Sequence, residues 1–99
     1  MVKHVILWKL KEDIEDSAKV KSEAKENLEA LVGKVPGLLE LNLIIEGLET
    51  SNCDMMLDST LESFEALKAY AVHPDHVAAA DGYVRPFTAT RLCMDYEVE

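Results

Sequence analysis

Two of the chain's three histidines flank a proline and an aspartate, His73-Pro74-Asp75-His76, and Tyr70 lies three residues upstream of the first. Imidazole, carboxylate and phenol are the groups of proton transfer and of metal binding. A catalytic zinc wants about three protein ligands and an open fourth position. His73 and His76 supply two, and Asp75 reaches a shared ion only awkwardly, so neither a metal nor a cofactor is expected. The same residues also read as a helix start. Pro74 suits the first helical position with His73 as the cap, and Asp75 then complements the helix dipole. His76 falls one position later, where the positive helix end disfavours imidazolium and keeps the ring neutral. A neutral imidazole is what a general base needs near pH 7, and a phenol can donate to a carbonyl or enolate oxygen. Pro74 interrupts the helical phase between Tyr70 and His76, so spacing alone does not bring them together.

The elements that must hold these groups alternate between strand and helix patterns. "VKHVILWKL" (Val2–Leu10) places His4, Ile6, Trp8 and Leu10 on one strand face, with Lys3, Val5, Leu7 and Lys9 on the other. Both faces carry apolar groups, so both are expected to be covered. A charged, proline-free stretch follows, with Ala24, Leu28, Leu31, Val32 and Val35 as a helical stripe and Asp16 or Ser17 as its cap. "VPGL" is a turn signal. "LLELNLIIE" puts Leu39, Leu41, Leu43 and Ile45 on one face, and Cys53–Thr60 alternates again. Ser59 and Glu62 form a capping-box pattern ahead of Leu61, Phe64, Leu67 and Ala71. After the short His-Pro helix, Phe87–Val98 is a last strand, with Thr90, Leu92, Met94, Tyr96 and Val98 on one face.

The order β-α-β-β-α-(short α)-β predicts a single α+β domain over residues 1–99. It is the ferredoxin-like four-stranded antiparallel sheet with helices on one face. A second copy is expected to cover the other face. Trp8, Met55, Met56 and Met94 recur at strand spacing, which is the spacing of packing.

Ninety-nine residues with 48% hydrophobic and 29% charged side chains suit one globular unit. The net charge of −9, with basic residues interleaved among acids, argues against nucleic acid and anionic membrane surfaces as partners. No apolar run reaches the ~20 residues of a membrane span. The opening segment is too short and charged for a signal peptide, so a cytoplasmic location is expected. Cys53 and Cys93 then read as small buried hydrophobes without a disulfide. The chain has no Gly-rich phosphate loop, nucleophile elbow or Cys-His nucleophile pattern.

The opening "VKHVILWKLK", the "VPGL" turn, "Y-x-x-HPDHV" and the closing "YVRPFTATRLCMDYE" together resemble the stress-responsive dimeric α+β barrel family, Dabb, along the whole chain. The resemblance implies a homodimer in which two sheets close into one barrel. It also implies a site in each subunit between the sheet and its own helices. Most members have no assigned reaction. A plant polyketide cyclase of the family closes a ring by aldol chemistry with a Tyr and a His, which match Tyr70 and His76, and the first-strand histidine matches His4. Some members look able to hold a hard divalent cation near the dimer interface. The expectation is a small, largely apolar organic ligand beside Tyr70 and His76, contacted by His4, Trp8 and His73. Two alternatives stand beside it: a cofactor-independent lyase or cyclase with His76 as base and Tyr70 as oxyanion donor, and a structural dimer without a ligand.

Overall fold

The computed structural model describes residues 1–98. Strand β1 spans Val2–Leu10, helix α1 Ser17–Glu29, β2 Leu38–Ile44, β3 Met55–Leu61, α2 Phe64–Val72, α3 Pro74–Tyr83 and β4 Thr88–Glu97. The sheet runs in the order β2-β3-β1-β4, antiparallel at every pair. This is the ferredoxin-like arrangement that the element order predicts. No helix among the described residues is long and apolar enough to cross a membrane.

The helix-facing side of the sheet carries the core. Val2, Ile6 and Trp8 of β1 meet Leu41 and Leu43 of β2, Met55, Leu57 and Leu61 of β3, and the helical Ala24, Leu28 and Leu67. The alternation expected in β1 and β3 is present. In β2 it is broken: the register shifts between Leu38 and Glu40, so Leu38 is buried and Leu39 is exposed rather than sharing a face with Leu41. A bulge adds one residue and flips the faces beyond it.

Caps and turns set the helix boundaries. The Asp16 carboxylate accepts from the Lys19 N–H at 3.0 Å and starts α1. Helix α1 ends at Glu29, earlier than the apolar stripe suggests, yet Leu31 and Val35 stay buried in the turns that follow. At Gly37 φ is +83°, and an added Cβ would lie 2.6 Å from the Ala66 Cβ. Only glycine meets both the conformation and the close approach of this turn to α2.

The capping box expected at Ser59 is absent. Ser59 is fully buried inside β3, where its hydroxyl donates to the His4 carbonyl at 2.8 Å. Continued pairing of β3 with β1, out to Val2 opposite Leu61, holds it there. Ser63 caps α2 instead, accepting from the Ala66 N–H at 3.1 Å.

The edge strand β2 is shielded by α1. Glu29 accepts from the Leu43 N–H at 3.0 Å and from Lys25 Nζ at 2.7 Å, and Lys25 donates to the Leu43 carbonyl at 2.9 Å. Burial pushes the Glu29 carboxyl upward, but Lys25 and the Leu43 amide outweigh it and hold it below the usual range. A charged pair occupying an edge amide and carbonyl blocks them from pairing with another strand.

The outer face has no such cover. Val5, Leu7, Met56 and Ile44 lie on it, together with Leu92, Met94 and Tyr96, which are 63, 67 and 47% exposed. Beside them Lys3 pairs with Asp58 at 2.6 Å.

Candidate functional site

A cavity of about 170 Å³ lies between the helix-facing side of the sheet and α2 and α3. From β1 it receives His4, Ile6 and Trp8, the even-numbered set of the strand. From the helices it receives Leu67, Tyr70, His76 and Ala80. Arg85, Thr88 and Arg91 complete the wall from the turn after α3 and from β4.

The structure brings three of the sequence-identified groups together. The rings of Tyr70 and His76 stack at 4.2 Å between centroids, tilted by 39°. The ring of His4 meets that of Tyr70 edge-on at 6.0 Å. Helices α2 and α3 meet at His73, which ends the first and caps the second. That junction returns His76 to Tyr70 across the break in helical phase.

His76 Nδ1 lies 3.2 Å from the Ala71 carbonyl. A carbonyl only accepts, so this nitrogen carries the proton and leaves Nε2 as the acceptor of a neutral ring. Burial pushes the His76 pKa down. The Ala71 carbonyl opposes this, and Arg85, His4 and Arg91 add to the lowering. Tyr70 is 1% exposed, and burial pushes its phenol up to about 12 against the pull of Arg91. It therefore stays a protonated donor at neutral pH. Among the described residues its hydroxyl has no hydrogen-bond partner.

His73 is placed differently from the expectation. Its Nδ1 accepts from the Asp75 N–H at 3.1 Å as the cap of α3, and the ring does not line the cavity. The helix-start reading accounts for His73 and Asp75, and His73 is withdrawn as a cavity residue. Trp8 and His4 do line it.

Residues that the sequence reading did not assign enter through β4. Asp95 stands opposite His4 in the register, and its Oδ1 accepts from His4 Nδ1 at 2.5 Å. A carboxylate on the ring nitrogen fixes its orientation. Cys93 is exposed in the chain, not buried, with its sulfur 3.8 Å from His4 Nδ1 and 3.5 Å from Asp95 Oδ1. Partial desolvation and Asp95 push its thiol up, and the nearby Arg91 opposes them.

Among the described residues, His4, Cys93 and Asp95 offer ligand atoms within 4.8 Å of one another, a grouping to be tested as a metal site. Tetrahedral zinc, with bonds of about 2.0–2.3 Å, sets ligand atoms about 3.3–3.8 Å apart. The two sulfur distances meet this and the His4–Asp95 distance does not. The guanidinium of Arg91 beside Cys93 also opposes a cation there.

The sequence signal for these residues is the alternate face of β4. Arg91, Cys93, Asp95 and Glu97 face the helix side through their partners Trp8, Ile6, His4 and Val2. Of this polar set Arg91 lines the cavity, while Asp95 and Cys93 reach it only through the ring of His4.

Solved structures share this architecture closely. A dimeric protein of unknown function with a ferredoxin-like fold from Bacteroides fragilis is 31% identical, with a TM-score of 0.90, over 98% of this chain and 95% of its own. The protein At3g17210 from Arabidopsis thaliana is 25% identical, with a TM-score of 0.82, over 100% of this chain and 96% of its own. A hydroxynitrile lyase from Passiflora edulis, 14% identical with a TM-score of 0.81 over 99% of this chain and 93% of its own, shares the fold. No curated relative matches the chain in sequence. The family model for the stress responsive A/B barrel domain matches residues 2–98. It takes in the β1 histidine, the His-Pro helix start and the β4 aspartate alike, and the chain belongs to that family.

Proposed function

We propose that the protein binds a small organic molecule in the cavity between sheet and helices, with Tyr70, His76 and His4 as its polar contacts. The observation that carries this reading is the convergence of two histidines and a buried phenol on one space floored by Ile6, Trp8 and Leu67. An apolar cavity of about 150 Å³ holds benzene, so the space suits a single ring or a short chain. Native mass spectrometry of protein purified from its own cells is the direct test. A bound species lost on His76→Ala supports the reading, and a clean apo mass in protein that also fails to bind small aromatics overturns it.

A catalytic version is favoured by one further observation. His76 is a neutral base, and the adjacent phenol has a free donor. That pair can remove a proton beside a carbonyl while Tyr70 donates to the enolate oxygen. A cofactor-independent lyase or cyclase would work this way. Deuterium uptake at a ligand carbon, absent in His76→Ala, distinguishes catalysis from binding.

The outer sheet face supports a homodimer. Leu92, Met94 and Tyr96 form a contiguous apolar surface with Val5 and Leu7, of the kind that marks an interface. Two copies packed through these faces would form the closed barrel, with each cavity on the helix-facing side of its own sheet.

A further inference from the structure

The cavity carries a charge opposite to that of its molecule. The chain has a net charge of −9, yet no Asp or Glu is among the residues lining this space, and two arginines are. Arg85 is held by Asp81 at 2.5 Å. Arg91 has no carboxylate at ion-pair distance among the described residues, although acids outnumber bases by 19 to 10. Both guanidiniums are solvent-exposed while Ile6 and Trp8 are buried, so the cations stand at the mouth and the apolar groups at the floor. Arg91 lies opposite Trp8 in the β1–β4 register, which fixes its Cα over that floor.

We propose that the ligand is a small carboxylic acid, with its carboxylate on Arg91 beside Arg85 and a one-ring or short-chain body against Ile6, Trp8 and Leu67. This rests on the cavity-binding reading above and adds the ligand's chemical class. The planar guanidinium fork matches a carboxylate bidentately. A volume of about 170 Å³ leaves no room for a nucleotide-sized body. The same positive field works against a cationic ligand and against a metal ion at His4, Cys93 and Asp95.

Benzoate and benzamide are near-isosteric probes that differ in charge. Both are titrated into the whole protein by calorimetry and by NMR of the His76 ring and Trp8 indole. Benzoate should shift both signals and bind about 10–100-fold more tightly than benzamide, the range of a charge-assisted hydrogen bond. Arg91→Gln should bring benzoate down to the benzamide level and leave benzamide unchanged. If Arg91→Gln does not fold, Arg91→Lys serves: it keeps the charge, loses the fork and should weaken benzoate alone. Equal binding of the two probes to the wild type overturns the acid assignment and leaves the cavity reading standing. So does tighter binding of phenyl phosphate than of benzoate. Failure of both probes to move the His76 and Trp8 signals overturns the two readings together.

Discussion

Two imidazoles share this cavity and are held by opposite kinds of partner. His76 donates to a main-chain carbonyl, and His4 donates to a carboxylate. The first arrangement leaves a neutral base, and its folded-state pKa lies below the ordinary value. The unfolded chain therefore takes up a proton first, so this contribution to stability is present above about pH 6.5 and is lost as pH falls through the folded pKa. Thermal melts between pH 7 and 5 should show the wild type losing more stability than His76→Gln. Tyr70→Phe separates function from structure. Its hydroxyl has no partner in the fold, so the melting temperature should hardly move, whereas a buried hydrogen bond would cost about 1–3 kcal/mol. Any reaction that develops oxyanion charge should slow by about 10²–10³. Asp95→Ala should release the His4 ring and weaken ligand binding while the fold survives, which NMR of the His4 ring can follow. At this scale the sequence was legible where chemistry is local. The cap at His73 and the helical position of His76 follow from Pro74 alone. Asp95, Cys93 and Arg91 were not legible, because only the pairing of β4 with β1 sets them beside His4 and Trp8.

Whole elements were read correctly in kind and order, and the misreadings lie at their ends. The Ser59–Glu62 pattern has the composition of a capping box, but strand pairing extends through it and Ser63 takes the cap. Long-range pairing outweighed a local signal worth about 1 kcal/mol. Ser63→Ala should accordingly cost about 1 kcal/mol in a denaturant melt. The bulge in β2 was hidden for the same reason, since an alternating apolar run does not reveal where its partner skips a residue. Gly37 is the turn position with least freedom. Gly37→Ala combines a positive φ with a Cβ driven against Ala66, and should destabilise by about 1–3 kcal/mol. A loss well below this would mean that the turn and α2 can move apart.

On the proposed reading, the whole molecule presents two faces with different tasks. Strand alternation alone leaves open which face of β2 turns outward, and so whether a charge at Leu41 would break a dimer. Leu41 packs in the sheet–helix core, so Leu41→Lys should unfold the subunit itself rather than dissociate the proposed dimer. Met94→Lys, on the outer face, should yield a folded monomer by light scattering and circular dichroism. A Met94→Lys protein that stays dimeric would place the interface elsewhere. Central strand β1 serves both faces by the parity of its residues: even positions His4, Ile6 and Trp8 look into the cavity, and odd positions Val5 and Leu7 look outward. The strand is thus two interleaved texts that can be edited separately. On the proposed reading, apolar-for-apolar changes at Ile6 and Trp8, which keep the core packed, would alter what the cavity accepts, and changes at Val5 and Leu7 would retune assembly. Were both readings to hold, a family built on such a strand could diversify its ligands while keeping its quaternary form. Libraries limited to apolar residues at Ile6 and Trp8 should yield dimers of altered ligand preference, whereas polar libraries at Val5 and Leu7 should lose dimers first.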